Sequence, residues 1–351
     1  MKNKKIYIKK NFFLTIKIIE LLISVFILYN FSFKNIKKIN KYSFYKKNPK
    51  ISICIPIFNQ ERYLKRIIKN IQNQTIKDIE IVAINDCSLD NSLEILMKLA
   101  KKDLRIKIIN NKRNRGVLYS RAMGILKTKG KYLIVIDADD EFEGPDNLEY
   151  LYNITKKINV DVITYKFLKN KPKKNGLYSY KEKIFFQPKI LETSIKSNDY
   201  FIWNKMVKKE IFLKSIESLK GHIYGDKQNY ADDEILSILI YKHANSMIKT
   251  NKVIYIYYLN KNSLVHKRNY FLYLSNLILW NQIFELVLKD MNDKYYLKRH
   301  VSRFLKIILH NKNLNVIKNN KILKNKYIKI FQNLINKYNY TKKLLEKLNN
   351  N

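Results

Sequence analysis

The acids of this chain are few and clustered. There are 29 Asp and Glu among 351 residues, yet Asp137, Asp139 and Asp140 fall within four positions, and Asp232, Asp233 and Glu234 are consecutive. Asp137 and Asp139 are spaced i, i+2, so in extended backbone both carboxylates project to one side while Ala138 points to the other. Such a pair suits a hard divalent cation, Mn2+ or Mg2+, that keeps open positions for the oxygens of a diphosphate. Acids in the first turn of a helix are also ordinary stabilising groups, and the stretch from Asp140 to Asp146 includes such a cap. An isolated D-x-D is weak evidence.

The elements that must position these acids are legible in the hydrophobic pattern. Short β-branched runs at 51–57, 79–84, 106–109 and 132–136 are each followed by a stretch of helical periodicity, at 60–74, 89–101, 117–128 and 147–157. Runs that are apolar on both faces and joined by helices predict an α/β fold with a mostly parallel sheet covered on both sides. Such sheets bind ligands beyond the carboxyl ends of their strands. Those ends carry Asn59 and Glu61, then Asp86, then the turn from Asn114 to Arg121, then Asp137, Asp139 and Asp140. Further along, 160–167 and 253–259 read as strands, 205–213 and 233–243 as helices, and 270–348 as a Lys-rich helical tail.

Charge and composition bound the function. With 69 Lys and Arg the formal net charge is +40, but 46% of residues are hydrophobic, which a disordered chain would lack. The lysines run along the whole chain and accompany abundant Tyr (26) and Phe (17). That distribution reads as a compositional background more than as a nucleic-acid-binding patch. Two Cys exclude a disulfide scaffold and a four-cysteine zinc module. From Phe12 to Phe33 the only charges are Lys17 and Glu20. At 1.5 Å per residue this run covers roughly 33 Å, enough to cross a bilayer core. No small-residue cleavage site follows it, so a single-pass, type II-like membrane anchor is expected. Lysines flank the run on both sides, so the positive-inside rule gives orientation little support.

The ordered motifs resemble those of the family 2 glycosyltransferases, inverting enzymes of GT-A fold. Ser52-Ile-Cys-Ile-Pro-Ile-Phe-Asn59-Gln-Glu61 is similar to the family's first strand and turn, and Ile84-Asn-Asp86-Cys-Ser88-Leu-Asp90 to its second motif. Asn114-Arg-Gly116, Ser120-Arg121-Ala-Met-Gly124 and Lys129-Gly130-Lys-Tyr132 then precede Asp137-Ala-Asp139-Asp140. The resemblance implies that Pro56, Asn59, Glu61 and Asp86 serve the nucleoside of a UDP-sugar and that Arg121 meets its diphosphate or nucleoside. It also implies that Asp139 ligates the metal, with Asp137 facing the ribose or a metal-bound water. Ala231-Asp232-Asp233-Glu234 resembles the acidic motif that supplies the general base. Asp233 is the expected base, with Asp232 and Glu234 as register alternatives. Trp203, in Trp203-Asn204-Lys205, is expected either as an acceptor-side face for a sugar ring or as a buried aromatic. His266 stands where a late histidine completes the metal shell in many GT-A enzymes, and a surface histidine is the competing reading. Three departures from the family pattern are Cys87 for a usual Gly, Leu89 for Thr and Ala122 for Asn.

The expected layout is a basic flank at 1–11, the anchor at 12–33 and a stem at 34–49. A nucleotide-sugar-binding half follows at 50–165, then an acceptor-side half at 166–268 and the Lys-rich region at 269–351. The expected partners are a nucleotide-sugar donor, a glycan, lipid or protein acceptor, and the membrane, without nucleic acid. A nicotinamide-dependent oxidoreductase fails because the turn after the first strand contains no glycine, and a P-loop enzyme fails because no Gly-Lys-Ser/Thr occurs. A metal-dependent nucleotidyltransferase, or an inactive transferase-fold binding protein, remains as the alternative.

Overall fold

The computed structural model describes residues 48–170, 182–197, 199–219 and 232–259. The anchor at 12–33, His266 and the tail at 270–348 lie outside the described residues. Among the described residues no helix is long and apolar enough to cross a membrane.

Four βα units come first: β1 (Ile51–Ile57), α1 (Glu61–Gln72), β2 (Ile79–Asn85), α2 (Ser92–Lys102), β3 (Ile106–Asn110), α3 (Val117–Lys127), β4 (Tyr132–Val135), β5 (Glu141–Phe142) and α4 (Asn147–Lys157). Then come β6 (Val162–Lys169), β7 (Glu182–Phe186), α5 (Lys189–Lys196), a 3-10 turn at Ile202–Asn204, β8 (Lys205–Lys208), α6 (Lys209–Ser218), α7 (Asp232–His243) and β9 (Ser246–Tyr257). The strands described form one nine-stranded sheet in the order β3-β2-β1-β4-β8-β6-β9-β5, with β7 also paired to β9.

The pattern explains the elements. Every residue of β2 is buried, as are all but Pro56 in β1, as required of strands covered on both faces. In α1 the buried residues Leu64, Ile67, Ile68 and Ile71 recur at i, i+3, i+4 and i+7, one stripe facing the sheet. Helix α3 packs directly on β1 and β2 because Gly124 lets it. A Cβ at that position would collide with Cys54 Sγ on β1 and Ile84 Cδ1 on β2. This close approach brings the next turn back, with Arg121, to the carboxyl edge of the sheet.

The parallel expectation holds for half of the sheet. β1 pairs in parallel with β2 and β4, β2 with β3, and β6 with β9, whereas β8 runs antiparallel to both β4 and β6. The sheet is therefore mixed. Residues 205–208, expected to begin a helix, form β8 instead, and the helix starts at Lys209. The lysines make this tetrapeptide look polar, yet both ends of Lys-Met-Val-Lys are buried and satisfied internally. Lys205 is 0% exposed, and Lys208 donates to Asp161 Oδ1 at 2.7 Å and to the Asn159 carbonyl at 3.3 Å. A pair of internally bonded lysines turns a polar-looking tetrapeptide into a central strand.

Substituting Gly124 by Leu is expected to lower stability by about 1–3 kcal/mol through overpacking. A thermal melt of the full chain checks this; an unchanged Tm would mean that α3 does not sit this close to the sheet.

Candidate active site

The carboxyl edges of β1, β2 and β4 collect the expected residues, and the turns there are braced by hydrogen bonds between motifs distant in sequence. Asn59 adopts φ 55°, a left-handed conformation that Asn tolerates, and its Oδ1 accepts from the Leu89 amide at 2.8 Å. Glu61 Oε2 accepts from the Asn91 amide at 3.0 Å and from Asn91 Nδ2 at 2.9 Å, while the Glu61 amide donates to Asp90 Oδ2 at 3.0 Å. The first and second motifs are thereby tied into one loop pair, with Pro56 half-buried at the end of β1.

Asp86 is buried and its carboxylate accepts three hydrogen bonds from the 111–116 turn. Its Oδ1 accepts from Asn111 Nδ2 (2.8 Å) and the Arg115 amide (2.9 Å), and its Oδ2 accepts from the Gly116 amide (2.8 Å). Gly116 has φ 89°, which a side chain would disfavour, and it caps α3. In this structure Asp86 shapes the 111–116 turn that aims α3. Cys87 sits at φ 59°, also left-handed, at the position where the resembled family has glycine. Cys54 and Cys87 are both free, and burial pushes the Cys54 thiol up to about 12, which leaves it inert.

Arg121 is the centre of the site. Its guanidinium is 4% exposed and lies against three carboxylates. One terminal nitrogen pairs with both Asp232 and Asp233, and the other meets Asp137 Oδ1 at 2.7 Å. Expected to reach the donor diphosphate or nucleoside, Arg121 here joins the strand-end acid to the first turn of α7. Burial is the largest influence on Asp233 and raises it to about 7; Arg121 opposes the rise, and Asp232 and Asp137 add to it. Asp232 is also raised, chiefly by burial. The Asp233 side chain remains 30% exposed, so a ligand can reach it, whereas that of Asp232 is 8% exposed.

Asp137 and Asp139 occupy the turn after β4, both half-buried. Arg66 on α1 pairs with the Asp139 carbonyl and stacks over the Tyr258 ring at 4.4 Å. Among the described residues no cluster of three or more His, Cys, Asp or Glu is arranged to hold a metal. Two half-buried carboxylates on one turn still fit Mn2+ or Mg2+, hard ions that take oxygen ligands and accept several from substrate and water. Asp140 is different: fully buried, it accepts from the Tyr255 hydroxyl (2.8 Å) and the Tyr258 amide (2.8 Å). Burial, with Asp137 next, raises it to about 8.

Trp203 is 3% exposed and presents no open face. Its ring stacks on Phe201 (4.7 Å), Tyr255 (4.9 Å) and Tyr257 (5.5 Å), with Phe167 edge-on at 4.6 Å. The buried-aromatic alternative holds, and the most exposed ring of this stack is Phe201, 41% exposed. Sequence reading missed Tyr255, which hydrogen-bonds both Asp140 and the Asp137 amide, because one tyrosine among 26 carries no signal. It also missed Lys205, although the motif holding it was noted.

Known proteins share this architecture and these motifs. Residues 52–215 match the family described as Glycosyl transferase family 2. An uncharacterized glycosyltransferase of Haemophilus influenzae is 30% identical over 214 residues, covering 58% of this chain and 81% of that protein. The cholesterol galactosyltransferase of Borreliella burgdorferi is 36% identical over 183 residues, 47% of this chain and 50% of that one. The chain thus spans half the length of that relative. The crystal structure of residues 1–349 of S. aureus TarS in complex with UDP-GlcNAc superposes with TM-score 0.60 at 17% identity, covering 82% of this chain and 80% of that one. The chain belongs to glycosyltransferase family 2.

A stability difference between wild type and Asp233→Asn tests the buried carboxyl. A carboxyl raised in the folded state binds more protons there than when unfolded, so its contribution falls as pH rises from about 4, the unfolded value, to about 7. Wild-type stability measured relative to Asp233→Asn is expected to decline across that window. A flat difference in paired denaturation curves would show that Asp233 titrates normally.

Proposed function

We propose that this chain is an inverting glycosyltransferase that moves a sugar from a nucleotide-sugar, a UDP-sugar, to a hydroxyl on a glycan, lipid or protein acceptor. The observation that carries the proposal is the convergence of Asp137 and Asp233 on Arg121. It sets an acid of the family's donor-side motif beside a reachable carboxyl raised to about 7. TarS was crystallised with UDP-GlcNAc, which supports a uridine nucleotide as the donor class.

In this reading Pro56, Asn59, Glu61 and Asp86 frame the nucleoside, and Asp139, with Asp137, would hold Mn2+ or Mg2+. When bound, such an ion neutralises charge that grows on the departing diphosphate. Asp233 accepts the proton of the acceptor hydroxyl as its oxygen attacks the anomeric carbon from the face opposite UDP. The new C–O bond forms while the bond to UDP breaks, its electron pair leaving on a phosphate oxygen. A single displacement inverts the anomeric centre. A base near 7 combines availability at neutral pH with useful proton affinity. Phe201, at the exposed end of the aromatic stack, is placed to meet an acceptor. Residues 12–33 are the proposed membrane anchor, supported by their length and apolarity.

The test is UDP release by the full chain across a panel of UDP-sugars, with and without Mn2+ or Mg2+. Wild type is expected to turn over at least one donor. Asp233→Asn should lose on the order of 10²–10⁴-fold in kcat, and Asp139→Asn should lose metal-dependent turnover. Full activity in Asp233→Asn would remove it as base; no binding of any nucleotide-sugar would overturn the reading.

A further inference from the structure

Lys205 is a buried charge with no part in the proposed transfer step. It lies on β8, directly after Trp203-Asn204, and is 0% exposed. Its ammonium donates to the Phe201 carbonyl, to Asn204 Oδ1 at 2.8 Å and to Ser237 Oγ at 3.2 Å. All three acceptors are neutral. The ring of Tyr241 on α7 lies 5.2 Å from the amine. A cation removed from water and met only by neutral acceptors is costly, and a core can avoid that cost with Met or Leu. Groups of this kind concentrate where a charge is needed.

The place where it is needed is one helical turn away. Ser237 follows Asp233 by four residues on α7, so the two share a face. The Ser237 hydroxyl also donates to the Tyr200 carbonyl at 2.9 Å, which fastens the helix a second time to the segment that leads into β8. The charge count at Asp233 is unfavourable without help: Arg121 alone faces Asp137, Asp232 and Asp233. The charged groups facing Lys205 are Asp199 before the 3-10 turn and Asp233 on α7, which favour its charge, and Lys249 on β9, which opposes it. Burial, the largest influence, pulls the amine down to about 8, so it is still mostly charged at neutral pH.

We infer that Lys205 is a positioning residue for Asp233: its ammonium pins the face of α7 that carries Asp233 to the 200–205 segment and places a second buried positive charge one helical turn from that residue. The inference rests on the reading of Asp233 as the base. Lys205 is fully buried, with intramolecular hydrogen-bond acceptors. It acts by keeping Asp233 in its ionised, proton-accepting form when the chain is at neutral pH.

The experiment compares full-length wild type, Lys205→Met and Lys205→Arg in the pH profile of kcat/KM. It adds the 13C carboxyl titration of Asp233, assigned with Asp233→Asn. Removing a neighbouring positive charge raises a carboxyl, so Lys205→Met should move the acid limb upward by about one pH unit. That corresponds to roughly 3- to 10-fold lower kcat/KM at pH 6, recovering above pH 8, with donor KM unchanged. Lys205→Arg keeps the charge and should keep the wild-type midpoint. Lys205→Gln, which retains hydrogen-bond donors without charge, carries the same expectation as Lys205→Met and replaces it if that variant does not fold. Ser237→Ala loosens the tether alone and should lower kcat equally at all pH. A folded Lys205→Met or Lys205→Gln with an unmoved Asp233 midpoint overturns the inference. If wild type turned over no donor, or Asp233→Asn stayed active, the base assignment would fail instead, and the carboxyl titration would still report whether Lys205 acts on Asp233.

Discussion

The pairing of Arg121 with three carboxylates is the constraint on which the site depends. Asp137 comes from the end of β4, Asp232 and Asp233 from the start of α7, and Arg121 from α3, so one guanidinium joins three elements far apart in sequence. Three buried or half-buried carboxylates could not share this volume unpaired, since each would be driven toward its protonated form. One positive charge against three negative ones leaves an excess of negative charge. Burial first, and then that excess, keep Asp233 basic, and a cationic group entering beside Asp137 would relieve the excess. The arrangement is thus poised between folding, which needs the arginine, and chemistry, which needs the acids.

The scaffolding that aims Arg121 is built from hydrogen bonds and close packing at the sheet edge. Asp86 accepts three hydrogen bonds from the 111–116 turn, Gly116 supplies the positive φ that starts α3, and Gly124 lets α3 rest on β1 and β2. On the other side, Tyr255 and Tyr258 bond Asp140, which sets the turn bearing Asp137 and Asp139. Asp140 behaves as a structural acid: its neighbours are hydroxyl and amide donors, and burial holds it near 8.

How far this was legible in the sequence depends on whether a residue's role follows from local pattern. The βα units were legible because β-branched runs and helical stripes report burial directly, and the strand-end acids followed from them. Cys87 shows the same logic from the other direction: a position where the resembled family has glycine turns out to need φ 59°. The failures share one cause. Local pattern shows neither β8 as a strand nor Trp203 as a buried ring, because Lys208 and Trp203 are met by partners remote in sequence and Lys205 by remote Ser237 as well as by its neighbours Phe201 and Asn204. Asp161 lies 47 positions from Lys208, Ser237 32 from Lys205 and Tyr255 52 from Trp203, and no short window of sequence contains them together. Lysine in a +40 chain reads as background until its exposure is known.

That distinction also revises the meaning of the charge. Most lysines here are compositional, and a surface lysine contributes little to a specific site. The exceptions are those whose amines are enclosed. Lys208 neutralises Asp161 at 2.7 Å, and Asp161 Oδ2 in turn accepts from the Asn245 and Ser246 amides at the start of β9, so that lysine closes a structural joint. Lys205 has no carboxylate among its three hydrogen-bond acceptors and sits one helical turn from the candidate base. Two lysines at the ends of one four-residue strand therefore differ in kind: the first holds the fold through an ion pair, and the second carries a charge that the fold alone does not require.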